Sequence, residues 1–417
     1  MRLKDMTDDD WMTVRAEISD AFSPGAPVEE TELFAGRSGQ ISTLMDAVNQ
    51  RGRHAILYGE RGVGKTSLAN ILRLVVRRPN KDTVYVRVNA DPTDTFQTLW
   101  LKVFKRMNYA AAADDSPASK ISDELPANFS PDDVQLILQD FAEHQTPIIV
   151  LDEFDRIQDK VTTGLVADTI KALSDYSVGA TVIVVGVAED VSSLIEGHES
   201  ITRSLIQVRM PRMSTEEMKQ LVLTRYQRSG IATDEDTIWK IVFLSRGLPY
   251  YTHLLAMNAA LTVIERRSLT VRHTDVDIAL ARSIAEMDQS TKEKYVLATR
   301  TQQSDTLYPS VLLACALAST DELGRFQQTS VAAPLNKLFP GKSYTASTFA
   351  LHMNAFCGAA RGSVLQKSGT TRNFRYRFSD PMMQPFVIFK GLNDGLLTDA
   401  TAEIFSTRPQ MEIPIEF

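Results

Sequence analysis

Residues 59–66 restrict what this chain can become more than any other stretch. Gly59-Glu60-Arg61-Gly62-Val63-Gly64-Lys65-Thr66 fits the spacing G-x-x-x-x-G-K-[ST]. It lies between a short apolar run, His54–Tyr58, and a helical pattern from Lys65 to about Val76. Strand, glycine turn and helix in that order make a cradle for a phosphate. The glycines let the backbone curl until successive N–H groups face one anion, and the helix start adds free donors and a favourable dipole. The nucleotide-binding residues expected from it are Gly59, Glu60, Arg61, Gly62, Val63, Gly64, Lys65, Thr66 and Ser67. Lys65 is placed to reach the β- and γ-phosphates, and the Thr66 hydroxyl to ligate Mg²⁺.

A second motif agrees with the first. Ile148-Ile149-Val150-Leu151-Asp152-Glu153 is a buried strand that ends in two carboxylates at the edge of a sheet. Asp152 is expected to hold Mg²⁺, directly or through water, and Glu153 to orient and polarise an attacking water. A second carboxylate beside the metal position points to ATP hydrolysis rather than to binding alone. Asp155 and Arg156 either bound this site or belong to a solvated loop.

Strand-like runs at 54–58, 83–88, 147–151, 180–187 and 206–210, of which 54–58, 147–151 and 180–187 are apolar nearly throughout, alternate with helical patterns. Strands apolar on both faces and separated by helices predict an α/β fold with a parallel sheet covered on both sides. From Thr215 to about Met287 the pattern is helical throughout. At 417 residues the chain is long enough for two or three domains. The expected division is an N-terminal arm (1–30), the sheet domain (31–212), a helical lid (213–290), a C-terminal domain (291–395) and a tail (396–417). The stretch from Ala110 to Asp133, rich in small, acidic and proline residues, reads as an insertion.

Composition excludes some alternatives. Two cysteines, Cys315 and Cys357, make neither a disulfide framework nor a four-thiolate metal site, and six histidines show no H-x-x-x-H spacing. The first twenty residues lack the apolar run of a signal peptide and no stretch approaches 18 apolar residues, so no membrane span and a cytoplasmic location are expected. The net charge is -7. From Thr291 onward there are 13 Lys+Arg against 10 Asp+Glu, which leaves -10 on the first 290 residues. Such a balance disfavours a protein that coats polyanions along its whole length.

Together, the phosphate loop, the Asp-Glu pair and the helical segment resemble those of AAA+ or STAND-type P-loop ATPases, with the closest likeness to the Orc1/Cdc6-like branch, whose members carry a C-terminal winged helix. The resemblance spans about Phe34 to Gly391 and implies several roles. Phe34-Ala35-Gly36-Arg37 resembles a G-R box, which would place Arg37 beside the adenine. Val184-Val185-Gly186-Val187-Ala188-Glu189-Asp190 resembles a sensor-1 strand end, with Glu189 standing where the family has Asn or Thr. Arg203, in Ser200-Ile201-Thr202-Arg203, matches the region of the arginine finger that a neighbouring subunit donates. Gly247-Leu248-Pro249 resembles the GLP motif, whose proline packs near adenine. The family's sensor-2 arginine is replaced here by Tyr250, leaving Arg246 and His253 as nearby substitutes and implying slow or partner-stimulated turnover.

In the C-terminal domain a helical segment at 309–318, a second contained within 326–338 and a third at 343–357 precede two strand-like runs, 364–367 and 373–378. Three helices and a hairpin predict a winged helix. Arg361, Lys367, Arg372, Arg375 and Arg377 fall between positions 361 and 377 with no acidic residue among them, a stripe that suits phosphates. The third helical segment holds no Lys or Arg, so it is poorly equipped to read base edges. The same five charges equally suit an acidic protein surface.

These features predict an ATP-dependent switch that forms homo-oligomers, hydrolyses Mg-ATP and acts on double-stranded DNA or a nucleoprotein through its winged helix. The alternative is a STAND-like regulatory scaffold controlling a separate effector protein in a defence or mobile-element system.

Overall fold

A computed structural model describes residues 6–24, 36–76, 82–112, 128–187, 204–300, 307–321, 323–370 and 373–405. The chain divides into two compact units, Gly25–Pro211 in one and Met1–Pro24 with Arg212–Phe417 in the other. The first helix, α1 (Asp8–Ala21), opens with a capping box between Thr7 and Asp10 and belongs to the second unit.

The unit Gly25–Pro211 runs α2 (Ser38–Asn49), β1 (His54–Gly59), α3 (Lys65–Val75), β2 (Thr83–Asn89), α4 (Phe96–Ala112), α5 (Pro131–His144), β3 (Thr146–Asp152), α6 (Lys160–Asp175), β4 (Thr181–Val187) and β5 (Leu205–Met210). The five strands pair in the order β2-β3-β4-β1-β5, every pair parallel. All seven residues of β3 are buried, as are six of the seven in β4, because helices cover both faces. On one face Phe96, Trp100 and Phe104 of α4, Val134 and Leu138 of α5 and Val166, Ile170 and Leu173 of α6 pack onto Ile149, Leu151, Val182 and Val184. The chain leaves β1 for the far edge at β2 and then returns strand by strand. This puts the β1 and β3 tips on either side of β4, at the carboxyl edge where α/β sheets open a crevice.

The second unit continues with α7 (Thr215–Arg228), β6 (Ala232–Thr233), α8 (Glu235–Ser245), α9 (Pro249–Glu265), β7 (Thr270–Val271), α10 (His273–Glu286), α11 (Gln289–Thr299), α12 (Tyr308–Leu317), β8 (Phe326–Gln327), α13 (Gln328–Leu338), α14 (Ala346–Phe356), β9 (Leu365–Thr370), β10 (Asn373–Phe378), α15 (Met383–Asn393) and α16 (Asp399–Ile404). Buried Arg225 donates from Nε to the Ala21 carbonyl at 3.0 Å, fastening the end of α1 to α7. The segment 326–338, expected to contain a helix, holds α13, and the two-residue strand β8 precedes that helix. Phe326 and Gln327 pair with Tyr376 and Arg375 of β10, giving the sheet order β8-β10-β9. Phe326, Tyr376 and Phe378 are buried together, and this packing holds the short strand in the sheet. Residues 399–404, expected to be tail, form a helix capped by Thr398. No described helix is long and apolar enough to cross a membrane.

His54 links the sheet to solution pH. Its ring is fully buried, Nδ1 accepts the Val182 N–H at 3.0 Å, and Nε2 is buried with no hydrogen-bond partner. Burial lowers its pKa from 6.5 to about 3, so the folded protein keeps the ring neutral while the unfolded chain takes up a proton below pH 6.5. This stability is fully present above pH 6.5 and is lost as pH falls toward 3, at about 1.4 kcal/mol per pH unit. Urea unfolding of wild type at pH 7 and pH 5 is expected to show a loss of about 2 kcal/mol from this ring. H54N, which keeps an acceptor but does not titrate, is expected to remove that share of the pH dependence.

Candidate nucleotide site

The loop after β1 folds as its glycines allow. Gly62 and Gly64 take φ of 84° and 93°, the left-handed region that side chains resist. Gly59 is required by close approach: a Cβ there would stand 2.4 Å from the Met210 carbonyl oxygen on neighbouring β5. Gly64 is the N-cap of α3 and supplies no side-chain cap, unlike Ser130 and Ser214, which cap α5 and α7. A helix start without a capping side chain leaves its N–H donors to an anion.

Lys65 is buried, its Nζ donating to the carbonyls of Gly59 at 3.0 Å and Glu60 at 2.7 Å. Burial lowers the ammonium to about 8, while the charges of Asp155, Asp152 and Glu60 act to raise it. Thr66 Oγ1 donates to Asp152 Oδ2 at 3.0 Å, joining residues 86 positions apart. Asp152 is 3% exposed; burial raises its carboxyl above the usual value against hydrogen bonds from Thr66 and the Glu153 N–H and the charge of Arg87. A hydroxyl and a buried carboxylate at one point form a hard oxygen donor set of the kind that holds Mg²⁺. Ser67, Arg61 and Val63 lie in the same loop and first helical turn, with Arg61 exposed and Val63 buried.

Glu153 follows Asp152 with φ of 55°, starting a 3₁₀ turn over Phe154–Arg156. Its Oε2 accepts from Arg156 Nη1 at 2.8 Å. Asp155 Oδ1 accepts the Val187 N–H at 2.7 Å, tying the turn to the tip of β4. These two contacts were hidden in the sequence, where only the acidic spacing of positions 152, 153 and 155 hinted at them.

Other expected residues are placed as follows. Arg37 is buried, with Nη2 donating to Pro211 O at 2.7 Å and Val63 O at 3.5 Å, so its guanidinium ties the phosphate loop to the end of β5. Glu189, Arg203 and Arg372 lie outside the described residues. Pro249 is the first residue of α9 in the other unit. Gly247 before it has φ of 79°, and a Cβ there would meet Arg212 Cβ at 2.8 Å. His253 does not supply a cation near Tyr250, because burial lowers it to about 3 and leaves it neutral.

The basic stripe is dispersed. Arg361 lies outside the hairpin, in the turn after α14; it donates to the carbonyls of Ala298 and Arg300 and its guanidinium lies 3.7 Å from the Tyr308 ring centroid, so it packs α11 and α12 instead of lining the strands. Lys367 and Arg377 remain on the hairpin, Lys367 bonded to Asn354 Oδ1 at 3.0 Å and Arg377 to Gln366 Oε1 at 2.6 Å. Arg375 stands 4.0 Å from Asp321. Elsewhere His273, Asp277 and Asp399 converge, yet the buried Lys240 ammonium already sits among them, 2.5 Å from Asp277 Oδ1 and 2.8 Å from Asp399 Oδ1.

Comparison with known proteins agrees with this geometry. Residues 33–183 match the family model described as AAA ATPase domain. The ORC2 protein of Aeropyrum pernix, solved as ADPNP-ADP complexes, is similar over 93% of this chain and 98% of its own, at 13% identity and a TM-score of 0.50. A Walker-type ATPase of Pyrococcus abyssi is similar over 87% of this chain and 99% of its own, at 14% identity and a TM-score of 0.51. A search of the curated proteins found no match.

Proposed function

We propose that this chain, an AAA+ ATPase with an Orc1/Cdc6-like fold, is a nucleotide-driven switch that self-associates around Mg-ATP and acts on double-stranded DNA through a C-terminal winged helix. The observation that carries the reading is the meeting of Thr66 and Asp152 at 3.0 Å beside a glycine loop and a buried lysine. Mg²⁺ held by Thr66 and Asp152 would neutralise charge on the terminal phosphates. Lys65 would exchange its bonds to loop carbonyls for phosphate oxygens, and the N–H groups at the start of α3 would complete the anion site. Glu153, on the turn leaving β3, would orient the attacking water. Arg203 is proposed to complete the site of a neighbouring subunit, which makes assembly depend on the nucleotide. The Aeropyrum pernix ORC2 protein was solved with ADPNP and ADP, which favours adenine nucleotides as the ligand here.

Helices α12, α13 and α14 with the β9–β10 hairpin form the proposed winged helix, and Lys367, Arg375 and Arg377 its phosphate-facing charges. A second reading, a STAND-like scaffold holding a separate effector, is favoured by α14. That helix carries no Lys or Arg and presents Ser347, Thr348, Leu351 and Asn354 outward, with Leu351 81% exposed.

Sizing chromatography with ATP, ADP and no nucleotide, paired with fluorescent duplex binding at two salt concentrations, tests the proposal. The expected result is a larger species with ATP and duplex binding that weakens with salt and with loss of Lys367, Arg375 and Arg377. A monomer in all three states overturns the assembly claim. Absence of duplex binding together with a co-purifying protein partner transfers the conclusion to the scaffold reading.

A further inference from the structure

Helix α15 is buried without interruption from Met383 to Phe389, nearly two turns, so it is covered on every side. It packs against α8, α10, α11 and α12. On one flank lies the segment 246–251. Tyr251 of α9 is buried; it donates its hydroxyl to the Met382 carbonyl and sets its ring edge-on to Phe389, centroids 5.5 Å apart. Gln384 is buried too and uses both ends of its amide. Its Oε1 accepts from Arg212 Nη1 at 2.6 Å, and its Nε2 donates to the Ala316 carbonyl of α12 at 2.9 Å. The same Arg212 nitrogen donates to the Arg246 carbonyl at 3.2 Å, and the Met213 N–H to the Gly247 carbonyl at 2.9 Å. On the other flank Gly391 lets α15 approach α12, since a Cβ there would stand 2.8 Å from Leu313 Cδ1. The chain beyond α15 is fastened to the same helices. Buried Lys240 of α8 pairs with Asp277 of α10 and Asp399 of α16, so departure of α16 would strip a buried ammonium of one of its two carboxylates.

We propose that α15 is a coupling bolt: it holds the elements from α12 to β10 and the turn Gly247-Leu248-Pro249 in one body, so that a ligand's pull on the β9–β10 hairpin is delivered to Arg212. Arg212 directly follows Pro211, the last residue of the sheet unit. The Pro211 carbonyl accepts from Arg37, whose guanidinium also reaches the Val63 carbonyl of the phosphate loop. The covalent junction of the two units is thus gripped on both sides, by Arg37 within one and by Gln384 within the other. Buried hydrogen bonds suit such a bolt, because opening it leaves the Ala316 carbonyl and the Arg212 guanidinium without the amide between them. The consequence for DNA rests on the winged-helix reading; the bolt itself does not.

Native-state hydrogen exchange of the full-length protein in rising, sub-denaturing urea provides the test. The amides of α9, α12 and α15 are expected to merge into one opening, with common protection and a common urea slope. Opening of α12 and α15 ahead of α9 in wild type overturns the bolt. Y251F and Q384M each remove buried hydrogen bonds and keep most of the bulk; each is expected to lower protection of α12 and α15 relative to α9 by about ten-fold or more. Y251F retains the ring against Phe389 and carries the comparison alone if Q384M does not fold. Variants in which α15 still opens with α9 overturn the role of these contacts. Calorimetric affinity for Mg-ADP, with and without saturating duplex, tests delivery to the junction. A change of about five-fold or more is expected in wild type and none in Y251F, with its duplex-free affinity unaltered. No change in wild type that binds duplex, or an equal change in Y251F, overturns the delivery. A wild type that binds no duplex yet shows the common opening supports the bolt and removes the winged-helix reading.

Discussion

K65M is expected to lower kcat/KM for Mg-ATP by about 10²–10³-fold, the usual effect of removing one preorganised charge from a site of developing negative charge. Lys65 lies inside the protein, where burial holds its ammonium near 8 and its hydrogen bonds go to the loop's own carbonyls. Exchanging those carbonyls for triphosphate oxygens would pair this desolvated cation with an anion, so a large gain in free energy on binding is expected. Methionine keeps most of the side-chain volume and removes the charge, so the nucleotide-free protein is expected to melt close to wild type. The two then separate on adding ligand. Saturating Mg-ATP at about a hundred times Kd contributes about 2.7 kcal/mol to the folded state, which corresponds to a rise in Tm of roughly 5–10 °C. Differential scanning fluorimetry is expected to show that rise in wild type and none in K65M; a variant that still responds to Mg-ATP would refute the placement of the phosphates at this loop.

E153Q is expected to separate binding from chemistry. The side chain is half exposed, one residue beyond Asp152, and its carboxylate is bonded to Arg156, whereas it is Asp152 that accepts from Thr66. Glutamine preserves shape and can still accept from Arg156 but is a far weaker base. Hydrolysis is expected to fall about 10²–10⁴-fold, as when a general base is removed, while Mg-ATP still raises Tm as in wild type. Coupled-enzyme assays and calorimetry on one preparation measure both. Loss of nucleotide binding in E153Q would place this carboxylate with the metal ligands instead.

Much of the sheet unit was legible because its signals are local or periodic. Near-continuous apolar strands such as 147–151 and 180–187 set against helical patterns are sufficient to predict a parallel sheet, and the positions of Gly59, Gly62, Gly64, Lys65 and Thr66 define a loop whose backbone conformation depends on few distant contacts. The same local reading gave no sign of the short strand Phe326–Gln327 ahead of α13, because its pairing partners, Tyr376 and Arg375, lie about fifty positions downstream. Arg361 was likewise grouped with the hairpin charges by proximity in sequence, yet the fold turns it onto the Ala298 and Arg300 carbonyls and the Tyr308 ring.

The sequence alone determined that this chain builds a phosphate loop on a buried strand and ends another buried strand in Asp152-Glu153, because a tight turn and a run of core residues are specified by the side chains within them. It also supplied Lys65, Thr66, Asp152 and Glu153, the side chains that the proposed nucleotide chemistry uses. Only the tertiary structure decided which of those groups meet. Thr66 reaches Asp152 because β4 alone separates their strands in the sheet; Lys65 is desolvated because the loop closes over it; Glu153 turns to Arg156 because a left-handed residue follows the last strand position. Distances between residues far apart in the chain depend on packing summed over the whole core, and no short pattern encodes that sum.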